Sequence, residues 1–260
     1  WLPAFTIVWL PDQWVQESKE RLRSALKSSW ARLPMNRITV NLAPADIKKS
    51  WPSFDLPIAV WILLREEWVK ESGIIKKGVF IWELALDWKL RNVSWVLPAT
   101  IWAKEKWFKY IFVPEWNTLE ASIVPWIEVV SVKNMKELIL MLNEEKELDI
   151  REKIDLNLES DLESKYDFKY VIWQDYAKRA LEIAATGWHN ILMNGPPWSW
   201  KTMLAKAFAS ILPPLTLDES IEISKIYSIS WLLSNENPLI IKRPFRSVHH
   251  TASSISIIGG

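Results

Sequence analysis

Two hydrophobic periods run along this chain. Ile38, Val40 and Leu42 are separated by polar residues, the two-residue period of a half-buried strand. Val15, Leu22, Ala25 and Leu26 fall on one face of a helix instead, behind Asp12, a residue type suited to cap it. Apolar runs predict further strands over Val79–Leu86, Tyr110–Val113 and Glu128–Val132. Helical spacing predicts helices over Pro98–Lys106, Asn117–Ile123 and Asn134–Asn143. Single helices between strands predict a mixed α/β domain over residues 1–143. Residues 144–165 break the pattern, with nine acidic and four basic side chains and no Gly, Pro or Trp. They read as an acidic linker with some helical content, or equally as a surface helix of a neighbouring domain. A second α/β domain is expected over 166–260. In it Tyr176–Ala185 reads as a helix, Asn190–Met193 as a short apolar strand and Lys201–Ile211 as another helix.

Composition narrows the function classes. A length of 260 residues fits two domains. Lys+Arg number 32 against 31 Asp+Glu, for a net charge of +1. That balance excludes a bulk polycation that coats nucleic acid. There is no cysteine, so disulfides, thiolate metal sites and cysteine nucleophiles are excluded. No apolar run reaches the roughly 18 residues a membrane helix needs. A cytoplasmic protein without membrane partners is expected. The first residue is Trp, so the chain is expected to begin inside a longer protein.

Tryptophan and glycine are out of proportion, at 19 and 6 residues. Many tryptophans stand where backbone chemistry asks for glycine. Asp87-Trp88 occupies a hairpin turn, where Asp-Gly is favoured because both residues need positive φ. Trp30 and Trp107 follow helical stretches at the position where glycine commonly ends a helix. They read as ordinary buried or interface tryptophans, or as glycine positions whose UGA codons were translated as tryptophan. The glycine-type locations favour the second reading.

The segment Gly195-Pro196-Pro197-Trp198-Ser199-Trp200-Lys201-Thr202 matches G-x-x-x-x-G-K-[ST] except at Trp200. With glycine at positions 198 and 200 it becomes a complete phosphate loop. Such a loop curls successive backbone N–H groups around phosphate oxygens, so it needs glycine freedom and no side chain in the cradle. Lys201 is placed to reach the β- and γ-phosphates, and the Thr202 hydroxyl to ligate Mg²⁺. The helix that follows points its positive end at the anion. The expected cofactors are therefore ATP and Mg²⁺. If both indoles are present in the natural protein, the loop is expected to be too crowded for nucleotide.

At these motifs the chain resembles the magnesium-chelatase-like AAA+ ATPases of the ComM/YifB type. The matching stretches include Leu10-Pro-Asp12, Arg37-Ile-Thr-Val-Asn-Leu-Ala-Pro-Ala-Asp46, Pro52-Ser-Phe-Asp-Leu-Pro-Ile58, Arg179-Ala-Leu-Glu-Ile183, His189-Asn190, the phosphate loop and Pro244-Phe-Arg-Ser-Val-His-His-Thr251. The family carries glycine where this chain has Trp9, Trp82, Trp88 and Trp173. The resemblance implies an N-terminal ChlI-like domain with the fold of the Lon proteolytic domain, then a truncated AAA+ P-loop NTPase domain. It implies an ATP-driven homo-oligomeric ring of hexamer type, with Ile172, Trp173 and Gln174 contacting adenine. The acidic Mg²⁺ motif, sensor and arginine finger of the family lie past Gly260, so this portion alone is expected to be inactive in hydrolysis.

The resemblance also orders the functions. An ATP-driven motor processing DNA, by branch migration in natural transformation, leads. A chelatase-type metal-insertion ATPase and a non-hydrolysing nucleotide-gated scaffold are the alternatives. Proteolysis is disfavoured. Trp51-Pro52-Ser53 is similar to the Gly-Pro-Ser of Lon, but Leu97 stands where the dyad lysine belongs and cannot accept a proton. His249 and His250 lack further ligands for a metal. His189 reads as a turn residue. Lys242, Arg243 and Arg246, with Phe245 among them, form a small basic cluster open to phosphates, a neighbouring subunit or solvent.

Overall fold

The structure is a computed structural model, and it describes residues 5–8, 20–24, 26, 38–41, 55–84, 90–152, 166–234, 238–248 and 251–253. Trp30, Asp87-Trp88, Ser53 and His249-His250 lie outside the described residues. The chain divides into two compact units, one of residues 1–156 with 224–238 and one of residues 157–223 with 239–260.

In the first unit, β1 (Phe5–Val8) pairs in parallel with β2 (Ile38–Asn41). Residues 20–24 and 26 are helical, and Leu22 and Leu26 are fully buried, as the one-sided apolar spacing predicts. Helix α1 (Asp55–Arg65) follows, then the short α2 (Gly73–Lys76). The central sheet holds β3 (Gly78–Phe80), β6 (Tyr110–Pro114) and β7 (Glu128–Val132), all parallel in the order β3-β6-β7. Ile111 sits between Val79 and Val129 in register. Each residue of β6 and β7 after the first is buried, as expected of parallel strands covered on both faces.

Single strand behaviour over Val79–Leu86 does not hold. Ile81 N–H still donates to Phe112 O of β6 at 3.0 Å, but Glu83–Leu84 (β4) pairs antiparallel with Leu90–Arg91 (β5). A continuous apolar run shows burial but does not say which partner each half pairs with.

Helices cover both faces. Phe112, Val130 and Val132 point into one cluster with Leu56, Ala59, Val60 and Leu63 of α1 and with Met135, Leu138 and Met141 of α5 (Met135–Leu142). Side chains alternate across a strand, so Ile111, Val113 and Val129 face the other way. There α3 (Val96–Glu105) and α4 (Thr118–Ser122) pack on the sheet. Asn134 caps α5 by accepting from the Glu137 N–H at 2.9 Å. One charged pair enters this core. Arg21 Nε donates to Asp55 Oδ2 at 2.5 Å, and Asp55 is 1% exposed.

The start of the acidic stretch is not a solvated helix. Ser131 N–H donates to Asp149 O and Arg151 N–H to Val129 O, both at 2.9 Å, so residues 149–151 pair antiparallel along β7. The acidic count hid this, because backbone pairing needs no apolar side chain. Residues 153–165 lie outside the described residues.

In the second unit, α6 (Asp175–Gly187) packs on α7 (Lys201–Ile211), and Leu181, Leu204, Ala207, Phe168 and Val171 form the core. Helix α8 (Leu217–Ile229) follows, its residues from Ser224 onward belonging to the first unit. Residues Asn190–Met193 form no strand here. Leu192 is 94% exposed, and only Met193 packs against the core. An apolar run becomes a strand only beside a partner strand to bond with, and none of the described residues pairs with it.

Candidate functional site: a loop before helix α7

Helix α7 begins at Lys201, and its first N–H groups have no partner within the helix. The preceding loop folds back on itself over few residues. Lys201 Nζ donates to Gly195 O at 2.8 Å, to Pro196 O at 2.5 Å and to Ser199 Oγ at 2.9 Å. Ser199 Oγ in turn donates to Pro196 O at 2.8 Å. The ammonium thus sits inside the loop's curl, where it gathers three oxygens. A Cβ at Gly195 would lie 3.3 Å from Ser199 Oγ, so the close approach of these two turns favours glycine there.

Trp198 and Trp200 have φ of 69° and 60°, in the left-handed region. The backbone therefore keeps the glycine-type conformation expected at both positions. Trp198 is 96% exposed and Trp200 is 62% exposed, so neither indole is packed in a core. Pro197, Trp198, Ser199, Trp200, Lys201 and Thr202 border an open cavity of about 610 Å³ with Tyr166, Met203 and Lys206. Lys206 Nζ lies 4.7 Å above the Tyr166 ring at this cavity. Neither residue stands out in sequence, because neither belongs to the motif.

Ile172, Trp173 and Gln174 lie just before α6 and are exposed. Trp173 and Gln174 both have φ of 69°. Val171 is buried in the same core as Leu204 of α7, and Lys178 Nζ donates to Val171 O at 3.1 Å. That core is what links this segment to the loop.

Two sequence profiles match the chain: "Subunit ChlI of Mg-chelatase" over residues 1–117 and "Magnesium chelatase, subunit ChlI" over residues 167–260. The chain is 39% identical over 262 residues to the competence protein ComM of Haemophilus influenzae, which covers 99% of this chain and 50% of that protein. It is 35% identical over 265 residues to the uncharacterized protein YifB of Salmonella typhimurium, and 34% over 259 residues to YifB of Escherichia coli. The chain belongs to the magnesium-chelatase-like ComM/YifB family. It spans about half the length of the curated relatives it matches.

Other residues of this family member fall into place by contact. Leu97 is fully buried, and its N–H donates to Glu120 Oε1 at 2.9 Å. Glu120 also accepts from Ser228 Oγ at 2.6 Å and from Asn117 Nδ2 at 3.2 Å. Leu97 is thus a packed apolar residue whose backbone N–H is paired. Among the described residues no group of three or more His, Asp or Glu is arranged to hold a metal ion. No described helix is long and apolar enough to cross a membrane.

The basic cluster is partly spoken for. Arg243 Nε donates to Pro213 O at 2.7 Å, its guanidinium pairs with Glu219 at 3.0 Å, and it lies 4.6 Å above the Trp188 ring. Glu219 also accepts from the Thr216 N–H at 3.0 Å, and Thr216 Oγ1 accepts from the Glu219 N–H at 3.3 Å. This reciprocal box starts α8. The Thr216 amide, and then Arg243, hold the Glu219 carboxyl below its ordinary range. Thr216-Leu-Asp-Glu219 carries the S/T-x-x-E signature, so the start of α8 was readable in sequence.

Proposed function

We propose that this chain carries the nucleotide-binding portion of an AAA+ ATPase, preceded by a non-proteolytic domain of Lon-proteolytic-domain type. The observation that supports this best is the Lys201 ammonium held among the oxygens of a tight loop at the N-terminus of α7. These oxygens are weak partners for a cation compared with phosphate. A nucleoside triphosphate offers the ammonium a charge-assisted partner, and the helix end offers it unpaired N–H groups. The residue types fit the ligand: a glycine at the close turn, a lysine, and a hydroxyl at Thr202 for Mg²⁺. Bound Mg²⁺ supplies charge neutralisation across the phosphates. Lys201 orients and neutralises the terminal phosphates, and Ile172, Trp173 and Gln174 take the adenine.

The whole protein, on this reading, is a cytoplasmic ATPase assembled as a homo-oligomeric ring. Its work, on the same reading, is DNA processing of the branch-migration kind in natural transformation; the name of the relative ComM speaks of competence alone. The leading test is ATP hydrolysis by the full-length protein, with and without branched DNA. Lys201→Ala should abolish turnover and Thr202→Ala should raise the Mg²⁺ requirement. DNA-independent hydrolysis with no DNA binding at low salt would leave the ATPase and remove the DNA role. Full turnover in Lys201→Ala would contradict the site itself.

A further inference from the structure

Eleven non-glycine residues among those described have φ in the left-handed region, and eight of them are tryptophan: Trp95, Trp107, Trp126, Trp173, Trp188, Trp198, Trp200 and Trp231. The others are Glu67, Glu144 and Gln174. Only a few per cent of non-glycine residues adopt this conformation, and for a bulky side chain it is an outlier. Asn and Asp tolerate it through local hydrogen bonds, a route closed to an indole.

Three of the eight end helices in the same way. Trp107 follows α3, Trp188 follows α6 and Trp231 follows α8. In each case the next N–H reaches back five residues: Phe108 to Ala103 O and His189 to Ala184 O at 3.0 Å, and Leu232 to Tyr227 O at 2.9 Å. That bond, with a left-handed residue before it, is the Schellman ending that glycine dominates. Burial does not hold the indoles there, since Trp107 is 93% exposed, Trp188 59% and Trp231 56%. Trp82 gives an independent sign. Its side chain is fully buried in the first unit, and its Nε1–H has no acceptor among the described residues. A native core rarely leaves an indole N–H unpaired.

We infer that the polypeptide made in this protein's own cells has glycine at the eight left-handed positions, encoded by UGA codons that those cells read as glycine. The helix ends carry the inference without any reference to nucleotide. Its consequence for the phosphate loop is direct. Glycine at 198 and 200 removes both indoles from the border of the cavity while leaving the loop's backbone conformation unstrained. The loop is then open to the phosphates of a nucleoside triphosphate.

The test is tandem mass spectrometry of peptides spanning positions 107, 188, 198, 200 and 231, from protein recovered from its source cells, beside the codons of the gene. Glycine in each peptide and TGA in each codon are expected. A reassigned codon is read one way throughout, so tryptophan at any of the five, or TGG codons, overturns the inference. Neither readout involves ATP, so a failure of nucleotide binding leaves this result standing and refutes only the proposed function.

Discussion

One substitution type should act with opposite signs at two places in the first unit. Trp107 has φ of 62° at the end of α3 and is 93% exposed. A left-handed L-residue carries roughly 1–2 kcal/mol of strain. Glycine relieves it but has a more mobile unfolded chain, which offsets roughly 0.5–1 kcal/mol. Little packing is lost, because the side chain is in solvent. Trp107→Gly should therefore stabilise the unit by about 0.5–1 kcal/mol, or a Tm rise of about 1–4 °C for a unit of this size. Trp61 lies inside α1 and is 64% exposed. There the backbone is already right-handed, and glycine costs roughly 1 kcal/mol in a helix interior. Trp61→Gly should lower Tm by a similar amount. Thermal and urea unfolding of the two single variants and the parent decide the matter. A lower Tm for Trp107→Gly, or equal shifts for both, would refute the strain argument.

Three further expectations follow from contacts. Asp55→Ala should cost about 3 kcal/mol in urea unfolding, since breaking a buried ion pair costs roughly 3–5 kcal/mol and Arg21 is 11% exposed; a loss under about 1 kcal/mol would contradict it. Glu219 has its carboxyl held below the ordinary value of 4.5, so its stabilisation is present above that value and is lost as pH falls through the lower folded value. Glu219→Gln should flatten the acid limb of the second unit's stability profile, and an unchanged slope would contradict the pairing with Thr216 and Arg243. Glu120→Ala should lower the Tm of the first unit measurably, because Leu97 N–H, Asn117 and Ser228 all donate to this carboxylate; an unchanged Tm would show the network to be dispensable.

The sequence spoke most clearly where a local signal and a burial pattern agreed. Glu128–Val132 and Lys201–Ile211 have the boundaries that their apolar spacing predicts. Trp107 takes the left-handed helix-end conformation expected from its position after a helical run. The failures come from partners that periodicity does not name. The run 79–86 reads as one strand, but Val79–Phe80 and Glu83–Leu84 belong to two different sheets. Asn190–Met193 has strand composition without a strand to pair with, and residues 149–151 pair with β7 despite their charge. Helix α1 was missed because it is apolar around much of its circumference, with seven of its residues buried and little periodic contrast to read. The loop's match to the phosphate-loop pattern was legible in its residue types. The inward fold of Lys201, and the Tyr166 and Lys206 side chains at the cavity, needed three dimensions.

The central claim is that the loop before α7 binds the phosphates of ATP through Lys201. Calorimetric titration of MgATP into the Trp198→Gly/Trp200→Gly chain, with Lys201→Ala added in a parallel sample, tests it most directly. Saturable binding that disappears with Lys201→Ala is the predicted result. No saturable binding by a folded Trp198→Gly/Trp200→Gly chain, or equal binding with and without Lys201, would contradict it.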